Sequence, residues 1–302
     1  MTFPQVTRAL IPAAGRGTRF LPYTKSMPKE LLPIVSTPAL ELVIEEAAKN
    51  GLVNVLVVLS PGKGVIADYF APNTDLEQAL KAKGDHASIA AINRAAEVAA
   101  ISYAEQLVPR GLGDAVWHGK DFADGGPLAV LLPDDLIDER DDILGAMSAV
   151  YEQHGGIVLG LLDVGPVEIA KYGCVAPSGA PIADPRGDIV AISDMVEKPK
   201  AEDAPSTLAI IGRYILPPEI FEAIERTEPG AGGEIQITDA MRLLAAEGTP
   251  VHGVIFSGRR YDTGDRLDYV RAVVQLAVVH PQIGATFREW LVEYAREVQT
   301  GG

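Results

Sequence analysis

The sequence predicts an α/β protein: a Rossmann-like, mainly parallel mixed sheet flanked by helices, followed by a smaller β region and C-terminal helices. Through residues 1–164, short apolar, β-branched runs alternate with segments of helical apolar spacing, the pattern of βαβ units. The runs are also near-continuously apolar, as strands buried on both faces are.

The first expected strand is Val6 to Ile11, followed by Val53 to Leu59, Val98 to Tyr103, Leu128 to Leu132 and Ile157 to Leu162. Helices are expected between them at Leu40 to Ala48 and Ile143 to Tyr151. After residue 164 the segments shorten and become rich in Gly and Pro, as in Pro177-Ser178-Gly179-Ala180-Pro181. Further strands are expected at Ile189 to Val196 and Leu208 to Leu216. Leu267, Val270, Val274 and Ala277 then lie at spacing for one helical face, and Phe287, Trp290, Leu291 and Tyr294 follow i, i+3, i+4, i+7 in a second helix. An aromatic stripe on that last helix fits core packing and subunit contact equally. The linker-like stretches, Lys200 to Pro205 and Glu228 to Gly233, are short, so a single domain over 1–302 is expected.

A hydrophobic content of 47% is enough for a full core. The net charge of -15 argues against nucleic acid or an anionic membrane as main partner. The apolar stretches, such as Leu52 to Leu59 with Asn54 inside it, are too short to span a bilayer. The single cysteine, Cys174, excludes an intrachain disulfide and fits a reducing compartment. The first residues, with Pro4 and Arg8, lack the charged-then-apolar order of a secretory signal. The expected location is cytoplasmic.

Charge distribution is more informative than its sum. Residues 1–29 hold no Asp or Glu, yet carry Arg8, Arg16, Arg19, Lys25 and Lys29. A short run of like charge is usually a solvated face, but here a glycine pattern lies beside it. The first strand runs directly into Pro12-Ala13-Ala14-Gly15-Arg16-Gly17-Thr18-Arg19. Ligands of open α/β sheets collect at the carboxyl ends of strands. Glycine there lets backbone N–H groups approach phosphate, and Arg adds a permanent bidentate donor. The loop is not a dinucleotide fingerprint, because Phe20 stands where a third small residue is needed, which weakens a dehydrogenase reading. Nor is Gly62-Lys63 a Walker loop, since Gly64 follows it and Val57 replaces the leading glycine.

The continuation of the loop, Gly15-Arg16-Gly17-Thr18-Arg19-Phe20-Leu21-Pro22-Tyr23-Thr24-Lys25-Ser26-Met27-Pro28-Lys29-Glu30-Leu31-Leu32-Pro33, closely resembles the signature of the sugar-phosphate nucleotidyltransferases. Within that family it is most similar to the bacterial branch acting on UTP and glucose 1-phosphate. Gln106 with Gly111-Leu112-Gly113 resembles the family's base-reading segment, and Leu131-Leu132-Pro133-Asp134-Asp135 its metal motif. Tyr172-Gly173 with Glu197-Lys198-Pro199-Lys200 resembles its sugar-phosphate motif. Ala209 to Tyr214, Pro229 to Ala240 and Tyr261-Asp262-Thr263-Gly264 follow in the same order.

The resemblance implies transfer of a uridylyl group from UTP to glucose 1-phosphate, giving UDP-glucose and pyrophosphate, with Mg2+ as cofactor. It implies that Ala13, Ala14, Gly15, Gly17, Thr18, Gln106 and Gly111 bind the nucleotide, and that Gly173 and Glu197 bind the sugar. Arg19 and Lys29 would hold the triphosphate, Lys198 the sugar phosphate, and Asp134 and Asp262 the metal. The division implied is a nucleotide-binding half at 1–164, a sugar-binding half at 165–262 and C-terminal helices at 263–302, in a homodimer or homotetramer. Two alternatives stay open: a related enzyme using another nucleotide or sugar phosphate, and a catalytically weak regulatory paralogue.

Local chemistry bears on several of these residues. Asp134, just past an apolar strand, belongs at its carboxyl end facing the crevice, where hard oxygen ligands suit Mg2+. Asp135 reads as a turn residue. Asp262 fits either a second metal carboxylate or the N-cap of the helix after it. Glu197 and Lys198, being adjacent, would face opposite ways on an extended segment unless the chain bends at Pro199. Cys174 reads as a small packing residue. Asp114 departs from the family pattern, which commonly carries His there.

Overall fold

The computed structural model describes residues 2–230 and 233–300. Ala231 and Gly232, within the Pro229 to Ala240 segment, lie outside the described residues. The strands are β1 (Arg8–Ala13), β2 (Pro33–Ile34), β3 (Thr37–Pro38), β4 (Asn54–Leu59), β5 (Ala100–Glu105), β6 (Leu128–Leu131), β7 (Asp135–Ile137), β8 (Ile157–Asp163), β9 (Cys174–Pro177), β10 (Asp188–Val196), β11 (Leu208–Leu216), β12 (Val251–Ile255) and β13 (Arg260–Asp262). Nine form one sheet in the order β5-β4-β1-β6-β11-β8-β12-β10-β9, while β13 pairs with β7 and β2 with β3.

The expected mixed sheet is present. From β5 to β6 it is parallel. β11 then enters antiparallel between β6 and β8, and β12 runs parallel to β8. Alternation along β1 explains its unbroken apolar run. Ala9 and Ile11 join one core with Leu40, Ile44, Ile143 and Met147, from helices Ala39–Lys49 and Ile143–His154. Leu10 joins the core on the opposite face with Ile220, Met241 and Leu244, from helices Ile220–Arg226 and Ile237–Ala246. A strand that buries both faces needs apolar residues at every position.

β1 is flanked by β4, which follows it, and by β6, which arrives from the far side of β5 in sequence. The winding therefore reverses at β1 and β6, and a crevice opens outside their carboxyl ends. Between β4 and β5 the chain adds helices Thr74–Lys83 and His86–Glu97, whose N-caps Asn73 and Asp85 accept from Leu76 and Ser88 N–H. The first of these buries no residue, so it carries little apolar signal.

Both C-terminal helices form, Arg266–Val279 and Gly284–Thr300. The first buries a face shifted from the expected one, of which only Ala277 is buried. Leu267 and Val270 are exposed, at 58% and 55%, and Tyr269, Ala272, Val273 and Leu276 meet the core instead. In the second, Trp290 and Tyr294 are half exposed and stack at 5.2 Å, so the stripe lies on the surface of the single chain.

Under the crevice lies Arg213 of β11, fully buried. Its guanidinium donates to both Glu46 oxygens, at 2.9 and 2.5 Å, and to the carbonyls of Asp135 (2.7 Å) and Leu132 (3.3 Å). Removing one partner of a buried ion pair leaves an uncompensated charge, which costs about 3–5 kcal/mol. Glu46→Ala is therefore expected to lower unfolding free energy by about 3 kcal/mol, measured by urea denaturation; a loss within error would show that the carbonyl contacts suffice.

Candidate active site

The glycine-rich loop leaves β1 and is held from behind by Lys63, in the turn after β4. Its ammonium donates to the carbonyls of Ala13 (2.6 Å) and Gly15 (2.7 Å) and to Glu30 Oε2 (2.8 Å). In a trans peptide N–H points opposite to C=O, so the N–H groups of Ala14 and Arg16 point away from Lys63. Gly17 adopts a left-handed φ of 62°, and its carbonyl accepts from the Thr24 hydroxyl at 2.7 Å. In front of the loop is a cavity of about 310 Å³, lined by Ala14, Gly15, Lys29, Gln106, Gly111 and Asp134 among others.

The Gln106 segment is closed by the chain from 233 to 239. Gly113 N–H donates to the Ile235 carbonyl at 2.8 Å, and Ile235 N–H donates to Arg110 at 2.7 Å. Gly111 makes this approach possible: its φ is 103°, and a Cβ there would come within 2.7 Å of the Ile235 carbonyl oxygen. Asp114, the departure from the family pattern, is buried and accepts from Gln106 Nε2 and Arg110 Nη2, both at 2.6 Å.

A second cavity of about 300 Å³ is lined by Arg19, Asp134, Gly173, Glu197, Lys198 and Asp262 among others. Leu112, Leu132, Asp134 and Glu234 line both cavities, so Asp134 stands at their junction. Lys29 Nζ donates to Asp134 Oδ2 at 2.5 Å. Burial opposes ionisation of Asp134, but the Lys29 ammonium more than offsets it and holds the carboxyl below its usual range. Asp262 arrives on β13, opposite Asp135 of β7. Burial pushes its carboxyl up; Asp134 and Asp135 add to this while Arg260 opposes it. The two carboxylates converge on Gly264, where a Cβ would lie 2.8 Å from Asp134 Oδ2 and 3.1 Å from Asp262 Oδ1. Arg19 donates to the Gly264 carbonyl at 3.2 Å.

On the other side, Glu197 Oε2 accepts from the Thr238 hydroxyl at 2.8 Å, and Lys198 Nζ lies 3.2 Å from Glu197 Oε1. The bend that brings both side chains to one cavity is at Lys198 itself, with φ 41°, and not at Pro199. Such a conformation costs a non-glycine residue roughly 1 kcal/mol or more; Lys198 N–H donates to the Tyr172 carbonyl at 3.2 Å. Gly173 admits Glu197, since a Cβ would stand 3.2 Å from its Oε2.

A family model described as nucleotidyl transferase matches residues 8–278. The chain belongs to this family. Among relatives, the UTP–glucose-1-phosphate uridylyltransferase of Streptococcus pneumoniae serotype 4 is 39% identical, over 97% of this chain and 98% of that protein. The one from Bacillus subtilis strain 168 is 38% identical, over 97% and 96%. Among solved structures, a UTP-bound UGPase from Acinetobacter baumannii superposes with a TM-score of 0.88 at 33% identity, covering 95% of this chain and 99% of that one. A UDP-glucose pyrophosphorylase complexed with UDP-glucose gives 0.77 at 39%, covering 89% and 97%. The family's mixed α/β fold is that read from the sequence.

Twelve positions singled out in the sequence thus fall into three groups around two further ones, Asp134 and Asp262. Ala14, Gly15, Lys29, Gln106 and Gly111 line the first cavity; Arg19, Gly173, Glu197 and Lys198 line the second. Ala13, Gly17 and Thr18 line neither: Ala13 is fully buried under the loop, and the other two shape the turn beyond it. Asp262 is not the cap of the following helix. That is Asp265, which accepts from Leu267 and Asp268 N–H, while Asp262 accepts from Gly264 N–H at 2.9 Å. Asp135 is structural, gripped by Arg260.

Sequence reasoning missed Lys63, Thr238 and Arg260. For Lys63 a signal existed, a lysine between two glycines at the carboxyl end of the strand beside β1. The donor chemistry around Asp134 fits Mg2+: two convergent carboxylates whose mutual repulsion a dication would relieve, beside space for phosphate oxygens. Because the folded protein raises the Asp262 carboxyl, the protonated form is favoured, and ionisation opposes folding as pH rises through and beyond the unfolded value. Asp262→Asn is accordingly expected to raise the urea midpoint at neutral pH without divalent cation; a lowered midpoint would refute this account.

Proposed function

We propose that the protein transfers the uridylyl group of UTP to glucose 1-phosphate, releasing pyrophosphate and forming UDP-glucose. The observation that carries the reading is Asp134 with its Lys29 partner at the meeting point of the two cavities, in a chain 38–39% identical to uridylyltransferases over nearly its whole length. One cavity is framed by the glycine-rich loop and Gln106, as a nucleoside triphosphate requires. The other is framed by a carboxylate and an ammonium, as a sugar phosphate requires.

The reaction is in-line attack of a sugar-phosphate oxygen on the α-phosphorus. That oxygen is already anionic, so no general base is needed, and catalysis consists of positioning and charge neutralisation. Ala14 and Gly15 bring backbone to the phosphates, with Ala13, Gly17 and Thr18 shaping the loop. Lys29 neutralises the triphosphate from the first cavity and Arg19 reaches it from the second, which it lines; Lys198 places the attacking phosphate as a point charge, and Glu197 accepts from sugar hydroxyls above Gly173. Asp134 and Asp262 would hold Mg2+, which when bound neutralises phosphate charge and polarises the oxygens it contacts. Residues 1–164 act as the nucleotide half and 165–262 as the sugar half, with 263–302 forming C-terminal helices.

Among the described residues no helix is long and apolar enough to cross a membrane, and with one buried cysteine we assign the protein to the cytoplasm. The surface stripe of Trp290 and Tyr294 supports assembly as a homodimer or homotetramer.

Pyrophosphate release measured over a panel of nucleoside triphosphates and sugar 1-phosphates with Mg2+ should be greatest for UTP with glucose 1-phosphate; a clear preference for another pair reassigns the substrates. Asp134→Asn is expected to reduce turnover about a thousandfold with thermal unfolding near that of the parent. Near-normal activity would remove Asp134 from the metal site. Lys198→Ala should raise KM for glucose 1-phosphate about tenfold or more while KM for UTP changes little; equal changes in both would argue against its role.

A further inference from the structure

Asp114 lies in the short helix Leu112–Trp117 and is only 3% exposed. A carboxylate so placed must be paired or hydrogen-bonded. Its Oδ1 accepts from Arg110 Nη2 at 2.6 Å and its Oδ2 from Gln106 Nε2 at 2.6 Å, with His118 Nε2 3.9 Å away. Gln106 is equally buried, and the same Nε2 donates to the Gly111 carbonyl at 3.2 Å. Both amide protons of Gln106 are therefore spent on the protein. Turning the amide over would set its oxygen against a carboxylate and a carbonyl, exchanging two hydrogen bonds for two repulsive contacts in a low-dielectric site. The polar atom left to Gln106, which lines the first cavity, is its oxygen, an acceptor only.

We infer that Asp114 is a positioning residue that fixes Gln106 as a hydrogen-bond acceptor toward the nucleotide base, so that the site selects pyrimidines with a ring N3–H, uracil or thymine, against cytosine. The inference rests on the reading of the first cavity as the nucleotide site. In uracil and thymine N3 carries a proton and donates to the Gln106 oxygen. In cytosine N3 is itself an acceptor, so two lone pairs would meet and both groups would be buried without a partner. Sites built around a specific hydrogen bond reject ligands lacking it far more strongly than apolar pockets reject a misfit. Without Asp114, only the longer bond to the Gly111 carbonyl, at 3.2 Å, opposes turning of the Gln106 amide, and the cost of presenting N–H to cytosine N3 falls.

The test uses the full chain with Asp114→Asn and Asp114→Leu, and two measurements: calorimetric affinity for UTP and CTP with Mg2+, and kcat/KM for each with glucose 1-phosphate. Arg110 is well exposed, so losing the carboxylate leaves no cation buried. The Asn oxygen still accepts one hydrogen bond, whereas Leu accepts none. The expected UTP:CTP preference falls in the order parent, Asn, Leu, by about tenfold or more in Leu. The change should lie in KM, with kcat at saturating UTP within about threefold, because Asp114 touches no reacting atom. An unchanged preference in folded variants, an equal loss for both nucleotides, or failure of both variants to fold would overturn the inference. If the parent binds UTP over CTP yet transfers nothing to any sugar 1-phosphate, the proposed reaction fails while the affinity ratio still decides the role of Asp114.

Discussion

Two guanidinium groups beneath the crevice fix the turn on which the site is built. Arg260 grips the Asp135 carboxylate with two bonds of 2.7 and 2.8 Å, while Arg213 takes the Asp135 carbonyl and is itself held by Glu46. Gly212 N–H donates to the same Asp135 carboxylate at 2.8 Å, and the absence of a side chain at Gly212 lets β11 pass within contact of Leu132 and Asp135. With Asp135 anchored, its neighbour Asp134 is delivered to the junction of the two cavities. Arg260 also lies over the Tyr172 ring, 5.3 Å from its centroid, so the same group ties the turn to the segment that carries Gly173. Buried ion pairs of this kind add little net stability over apolar packing, but they punish any displacement of one partner; their contribution here is geometric definition.

The crevice resolves an electrostatic problem that the whole chain makes worse. A protein of net charge -15 has to accommodate two phosphate-bearing ligands that repel each other. Lys29, Lys63 and Arg19 concentrate positive charge at the carboxyl end of β1, and each already has a specific acceptor: Asp134, Glu30 with two loop carbonyls, and Gly264. These pairings keep the cations in place, and the carboxylates of Asp134 and Glu30 neutralise Lys29 and Lys63, while Arg19 meets only a carbonyl and keeps its charge uncompensated. Asp134 balances the cluster at the point where the two cavities meet, and Asp262 from the second cavity. At the second cavity Lys198 is likewise paired, with Glu197 at 3.2 Å.

The two cavities are joined by chain segments distant in sequence. The stretch from 233 to 239 closes over Gln106 through Ile235 and also supplies Thr238 to hold Glu197. One segment therefore touches the glutamine of the first cavity and the carboxylate of the second, and Glu234 lines both.

By itself the sequence determined the parallel βαβ half, the position of the glycine-rich loop after β1 and the placement of Asp134 beyond β6, because apolar periodicity and strand-end position are local properties. It also marked Glu197, Lys198 and Asp262 through ordered resemblance. Only the tertiary structure decided which face of helix Arg266–Val279 is buried, since an apolar residue at either spacing satisfies the same period. It likewise moved the bend from Pro199 to Lys198, decided between the two readings of Asp262 on the cap by giving that place to Asp265, and gave Lys63, Arg213 and Asp114 their roles. For Lys63 and Arg213 those roles consist of hydrogen bonds between residues brought together by strand order, up to 167 positions apart for Arg213 and Glu46, while Asp114 meets partners only 4 and 8 positions away, where spacing alone does not say which polar groups are buried together.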